Sequence, residues 1–349
     1  MALRFSSLSD LLDHGFDDVI DVRSPAEFAE DHIPGALNLP ALSDAERARV
    51  GTIYKQVSPF DARKVGAALV ARNVAAHLDG PLADRTGGWR PLVHCWRGGQ
   101  RSGSVATILK AVGWRADTIE GGYQSWRRLV HAALYDTDLP CPVVLLDGNT
   151  GTAKTALLPL LAARGVQVID LEGLAGHRGS RLGATGAQPS QKAFESALAV
   201  ALARLDPARP LVVEAESSRI GARILPPRLW EAMKAAPRIE ISAPVAARAA
   251  FLQEAYADMI DAPDRLARAL EPLRRYRGHA VVDAWQAMLA GGDFAGLARA
   301  LIEDHYDAAY TRSRAGHAPR HLARLSADRL DAAGRDDLAD RVAARLSET

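Results

Sequence analysis

Cysteine is nearly missing from this chain: among 349 residues there are two, Cys95 and Cys141. That excludes a disulfide framework and gives no support to a zinc site built on thiolates. Lysine is scarce too, with 6 Lys against 37 Arg, and 42 acids leave a net charge of +1. A chain so nearly balanced does not coat nucleic acid indiscriminately, although a local basic face stays open. The arginine excess supplies planar forks suited to phosphate; a genome's base composition produces the same bias. Long apolar runs are missing as well, since no stretch approaches the ~18 apolar residues of a membrane helix. The opening "MALRFSSLSDLLDHGFDDVIDVR" turns acidic where a signal peptide needs its apolar stretch. The expectation is a cytoplasmic protein with no membrane partner. What remains is an ordinary globular composition, 48% apolar and 24% charged, in a chain long enough for two domains.

The pattern along the chain is strand and helix in alternation. "DVIDV" is a short apolar strand, and Ser24-Pro25 opens a helix after it. Residues 61–79 read as a helix and "PLVHC" as a buried strand; "RSGSVATILKAVGW" has helical spacing and stops at Gly113. Such alternation predicts an α/β fold with a parallel sheet over residues 1–135. A proline-containing link near 134–142 is followed by a restart: strand "VVLLDG", helix "KTALLPLLAARG", then strands "VQVIDLE", "PLVVEAE" and "RIEISAP". The reading is a second α/β domain over 136–245, which includes the helix "SQKAFESALAVALARL". The remainder, 246–349, reads as helical with no strand.

Two loops carry the chemistry. In "VHCWRGGQRS" Cys95 ends a strand, and Arg101-Ser102 open a helix, where amides and the positive end of the helix dipole converge. Trp96, Arg97, Gly98, Gly99 and Gln100 form the intervening anion loop. Its glycines let it curl and its arginines add charge, a setting that favours a nucleophilic thiolate. The alternative is a buried packing cysteine; the loop around it favours a catalytic Cys95 with Arg101.

The second loop is Gly148-Asn149-Thr150-Gly151-Thr152-Ala153-Lys154-Thr155, between strand and helix. It follows G-x-x-x-x-G-K-[ST] except that Ala153 stands at the second glycine. Its amides suit a diphosphate, Lys154 the outer oxygens and Thr155 a magnesium ion. Ala153 requires a backbone angle acceptable to a side chain and weighs against nucleotide hydrolysis more than against diphosphate binding. Glu214, Glu216 and Asp170 are the acids at strand ends, with no clean second metal ligand among them.

"VIDVRSPAEFAEDHIPGALNLP", "VHCWRGGQRS" and "IEGGYQSW" together resemble rhodanese domains. The resemblance implies that Cys95 carries a persulfide or its selenium analogue, cradled with Arg101, and that Asp21 and Arg23 are structural. One departure stands out: five residues separate Cys95 from Arg101 where sulfur-carrying rhodaneses have four, a length similar to the related phosphatases. With the phosphate loop, "LAGHRGSRLG", "EAESSRIG" and "HYDAAY", the chain resembles the tRNA 2-selenouridine synthase family over about residues 1–312. Arg181-Leu182 depart mildly from the pattern expected there.

That resemblance implies a two-step exchange at wobble 2-thiouridine of tRNA. Geranyl diphosphate alkylates the sulfur, and selenium from selenophosphate then displaces the thioether, with no tightly bound cofactor and Mg as a candidate ion. His177, Arg178, Ser180, Arg181, Glu216, Ser217, Arg219 and Arg223 are the candidates for diphosphate or tRNA contact. Tyr276, Trp285 and the arginines of "EPLRRYRGH" offer an RNA surface, helix packing being the alternative for the aromatics. The competing function is a plain rhodanese sulfurtransferase fused to a P-loop kinase or ATPase of small molecules.

Overall fold

Strand Pro91–His94 is buried at all four positions, the mark of a parallel strand covered on both faces. In the computed structural model, which describes residues 2–180, 183, 186–308 and 320–348, it is the centre of a five-stranded sheet. Its strands are β1 (Ala2–Leu3), β2 (Asp18–Asp21), β3 (Leu37–Asn38), β4 (Pro91–His94) and β5 (Asp117–Ile119). They run parallel in the order β1-β5-β4-β2-β3. Helices Pro25–Glu30, Asp44–Gln56, Pro59–Asp79 and Gln100–Val112 lie between them, and Gly122–His131 follows β5. Pro25 stands in the first turn of its helix, and Ser43 with Glu46 closes a capping box on the next. The core gathers Ile20, Val22, Leu69, Val93, Val105 and Leu109, with Trp89 and Trp114 edge to face at 5.1 Å.

The second sheet is built from β6 (Val143–Gly148), β7 (Gln167–Val168), β8 (Leu211–Glu214), β11 (Arg238–Ser242) and β12 (His321–Ser326). Its order is β12-β11-β6-β8-β7, again wholly parallel, with β6 and its loop in the middle. Between β8 and β11, strands β9 (Arg219–Ile220) and β10 (Arg223–Ile224) make a separate antiparallel pair. Val144, Leu146, Leu157, Leu161, Ile239 and Ile241 form the core, closed by Leu338, Val342 and Leu346 of the helix Ala332–Ser347. A smaller helical cluster collects Met259, Leu266, Leu270, Val282, Trp285 and Leu301.

Two expectations change. The segment 246–349 is not strandless, because β12 extends the sheet along β11. Its sequence HLARLS spaces Leu322 and Leu325 three apart, as a helix would, and an edge strand needs no continuous apolar run. The chain also divides into compact units Met1–Asp138 with Pro189–Arg204, and Leu139–Gln188 with Leu205–Thr349. The helix Gln191–Ala203, read from sequence as part of the second α/β domain, therefore belongs to the first unit. There Ser196 Oγ accepts from Trp126 Nε1 at 3.2 Å and donates to Asp31 Oδ2 at 3.0 Å, while Glu195 pairs with Arg127 at 2.5 Å. Periodicity shows that a helix has an apolar face, not which surface covers it.

Candidate functional site: a thiol loop and a phosphate loop

Cys95 follows β4 directly, at the carboxyl end of the sheet where parallel folds place ligands. The thiol is 4% exposed and belongs to the apolar core, with Ser102 Oγ donating to Sγ at 3.4 Å. Gly99 adopts φ +73° and caps the helix Gln100–Val112, so the loop turns on a residue that only glycine fills without strain. As at any helix start, the first amides have no intrahelical acceptor. Arg97, Gly98 and Gln100 are exposed and Trp96 is half-buried, 5.3 Å from the Tyr123 ring. Arg101, at the head of the helix, places Nη1 2.8 Å from Glu27 Oε2. Burial alone would raise the Glu27 carboxyl; the Arg101 bond and charge, with Ser24 and Arg47, outweigh it and hold it below its usual value.

Beneath the loop Asp21 and Arg23 form a buried pair at 2.6 Å, and Arg23 also reaches Asp31 O at 2.6 Å and lies 3.7 Å from the Tyr123 ring. They brace the sheet, the structural part expected of them. His94, fully buried with Nε2 3.8 Å from Asp21, is held below its ordinary imidazole value by burial, against the pull of Asp21. The closing segment is fastened by backbone: Tyr123 N donates to Cys95 O at 2.8 Å and Gln124 N to Trp96 O at 3.1 Å. A Cβ on Gly122, at φ +55°, would lie 2.3 Å from Cys95 O, which explains the second glycine of "IEGGYQSW".

The phosphate loop joins β6 to the helix Lys154–Ala163. Lys154 Nζ lies 2.6 Å from Gly148 O, and Thr152 Oγ1 donates to Asn149 O at 2.8 Å. Ala153 corrects an expectation. It does not find an ordinary backbone angle but sits at φ +63°, the one non-glycine residue with positive φ among those described. The loop keeps the shape a glycine would give it and carries the strain instead. Its tip is held by a pair the sequence does not reveal: Arg248 donates to Thr150 O at 2.7 and 2.9 Å and pairs with Asp307, which also accepts from Asn149 Nδ2 at 2.9 Å. Asp307 lies in "HYDAAY", so that cluster supports the loop.

The acid missing from the sequence reading is Glu172. Thr155 Oγ1 donates to Glu172 Oε2 at 2.7 Å, and Glu172 is hydrogen-bonded to Glu216. Burial and the charge of Glu216 push Glu172 up to about 8. Glu214 is fully buried, accepts the Glu172 amide at 2.8 Å, and is raised well above the carboxylate range by burial. Asp170 caps the helix Leu171–Ala175 through the Gly173 amide at 2.7 Å and so has a structural role. Among the described residues no three His, Cys, Asp or Glu side chains converge on one point. Thr155, Glu172 and Glu216 are thus linked by hydrogen bonds at the start of the phosphate-loop helix.

These groups open onto a cavity of about 860 Å³. Its lining includes Thr150 to Ala156, Glu172, Arg178, Ser180, Glu216, Ser217 and Arg238 among polar residues and the phosphate loop, and Leu145, Trp230, Met233, Phe251, Leu252 and Ala255 among apolar ones. Of the remaining candidates, Arg178 pairs with Asp258 at 2.7 Å and lies 4.7 Å from the Tyr256 ring, while Ser180 bonds Tyr256 OH at 2.9 Å. His177, Arg219 and Arg223 are not in the cavity wall, and Arg181 lies outside the described residues, as do Leu182 and the end of "HYDAAY". Trp285 is 1% exposed and packs in the helical cluster, Tyr276 is 50% exposed, and Arg274 and Arg277 bond Glu271 and His305. No described helix is long and apolar enough to cross a membrane.

Fold and loops together define a rhodanese-like sheet followed by a phosphate-loop α/β unit, each with its own strand-to-helix turn. Comparison with known proteins agrees: a model of the rhodanese-like domain matches residues 5–129, and one of the tRNA 2-selenouridine synthase AAA domain matches 141–338. The chain belongs to the tRNA 2-selenouridine synthase family. A tRNA 2-selenouridine synthase of Aeromonas salmonicida (strain A449) is 39% identical over 254 residues, 71% of this chain and 67% of that protein. One from Chromohalobacter salexigens is 38% identical over 252 residues, covering 69% and 66%. The chain thus spans about two thirds of the length of these relatives. Among solved structures, a yeast protein tyrosine phosphatase of the rhodanese family is 17% identical over 37% of this chain and 84% of its own, with a TM-score of 0.22.

Proposed function

We propose that the protein replaces sulfur by selenium in wobble 2-thiouridine of tRNA through an S-geranylated intermediate. In the first step the 2-sulfur attacks C1 of geranyl diphosphate, a carbon–sulfur bond forms, and diphosphate leaves with the electron pair of the broken carbon–oxygen bond. The phosphate-loop amides and Lys154 bind the diphosphate and stabilise the charge that develops on it. Thr155, Glu172 and Glu216 are the residues that would hold magnesium, which adds Lewis-acid stabilisation of that charge when bound. In the second step the selenium of selenophosphate attacks C2 of the base, and water then attacks phosphorus, so that the phosphorus–selenium bond breaks, phosphate leaves and selenium stays on C2. The geranylated sulfur, a far better leaving group than a bare thiocarbonyl sulfur, departs as geranyl thiol with the carbon–sulfur pair. The Cys95 loop, with Arg101 and the helix start, handles the selenium donor as a tetrahedral oxyanion, which its five-residue length suits.

The observation that carries the reading is the composition of the cavity: the phosphate loop shares its lining with Trp230, Met233, Phe251, Leu252 and Ala255, which favours a diphosphate with a hydrocarbon tail. That favours geranyl diphosphate over the nucleotide of a kinase or ATPase. The test is to incubate the protein with 2-thiouridine tRNA and geranyl diphosphate, add selenophosphate, and weigh the nucleosides. The expected result is a geranylated and then a selenium-containing nucleoside; an unchanged mass overturns the proposal. Cys95→Ser is expected to stop at the geranylated nucleoside, and full selenation by that variant removes Cys95 from the chemistry.

A further inference from the structure

Beside the main cavity lies a second void of about 60 Å³, and the two share Thr150, Leu252, Tyr256 and Tyr306 in their walls. The far side of the smaller void is apolar throughout, including Met259, Phe294, Ala298 and Leu301. Apart from the hydroxyl-bearing residues Thr150, Tyr256 and Tyr306 of the shared wall the void offers water no polar side chains, and hydrocarbon fills it favourably. Leu252 also stands against the phosphate loop, where a methyl at Gly151 would meet its Cγ at 3.2 Å. The partition between the two voids therefore begins where the diphosphate would be held.

We propose that Leu252, with Tyr256 and Tyr306, is a partition that sets the length of prenyl chain the site accepts, the small void being the room a longer chain would need. The inference rests on the prenyl diphosphate reading given above and goes beyond it by naming the residues that choose among prenyl donors. Each methylene that reaches an apolar wall raises affinity roughly fourfold. Removing the Leu252 side chain frees space for about three carbons, so the expected gain for a longer chain is at least about tenfold.

The test is calorimetric titration of the full chain with pyrophosphate, geranyl diphosphate and farnesyl diphosphate, the last one isoprene unit longer. Wild type is expected to prefer geranyl diphosphate. Leu252→Ala should raise farnesyl relative to geranyl affinity at least tenfold while pyrophosphate binding stays constant. Adding Ala298→Leu, which refills the void, should remove the gain. Met259→Ala alone enlarges the void behind an intact partition and should leave the preference unchanged, whereas Leu252→Val opens the partition with less effect on the loop and should shift preference toward farnesyl even if Leu252→Ala loses pyrophosphate binding. Equal changes for both chains, or a gain that survives Ala298→Leu, overturn the partition alone. If geranyl diphosphate binds wild type no more tightly than pyrophosphate, the prenyl reading itself falls and the partition with it.

Discussion

Glu172→Gln removes one ionisation from the acid that Thr155 of the phosphate loop contacts and keeps the shape of the side chain. Glu172 holds its proton up to about pH 8 in the folded protein, whereas an unperturbed glutamate releases it near 4.5. Between those values the native state binds the extra proton, so stability falls as pH rises, by about 1.4 kcal/mol per pH unit for one proton. The contribution is fully present below about pH 4.5, is lost by about pH 8, and is flat outside that window. Glutamine has no such slope. Partial exposure to solvent screens the full effect, and an advantage of about 1–3 kcal/mol for the variant above pH 8 is expected, shrinking to near zero at pH 5. Urea unfolding of both proteins across pH 5–9, with chelator present, measures the difference directly. Parallel profiles for wild type and variant would refute the carboxylate pairing.

The same proton competes with magnesium, so affinity for magnesium diphosphate is expected to rise with pH toward 8 by up to about tenfold per unit, read by calorimetry. Ala153→Gly should relieve about 1–2 kcal/mol of left-handed strain against about 0.4–1 kcal/mol of added unfolded-state entropy. A small net gain in the urea midpoint follows, and a loss would mean the strain is absent. Gly122→Ala drives a methyl into the Cys95 carbonyl and should cost at least about 2 kcal/mol together with selenation activity; a stable, active variant would contradict the packing described. Lys154→Ala removes a charged donor worth about 1.5–3 kcal/mol, so diphosphate binding should weaken tenfold or more in titration.

Both loops are legible in the sequence because their chemistry is local: strand, turn and helix start fall within a dozen residues. Glu172 is not, because its importance depends on Thr155 and Glu216, which come from other elements; in the sequence the strand-end Asp170 looks equally suitable. Arg248 and Asp307 lie 59 residues apart and meet only through the helical segment. β12 is hidden because an edge strand beside β11 is held by backbone bonds rather than by an apolar pattern of its own. Ala153 shows a subtler limit: the motif singles out the residue, but the loop imposes its angle on the side chain.

The helix Gln191–Ala203 makes the first unit a guest-completed fold. A rhodanese sheet is usually pictured as a module that can be cut at one linker and moved elsewhere. Here residues 1–138 alone would leave Trp126 and Asp31 without Ser196, and Arg127 without Glu195. A recombination that moved either half at a single splice would strip the other of a packed surface. A cut at any one point between residues 138 and 189 therefore separates Glu195 and Ser196 from the partners they hold in the first unit, whatever the independence of the two chemistries.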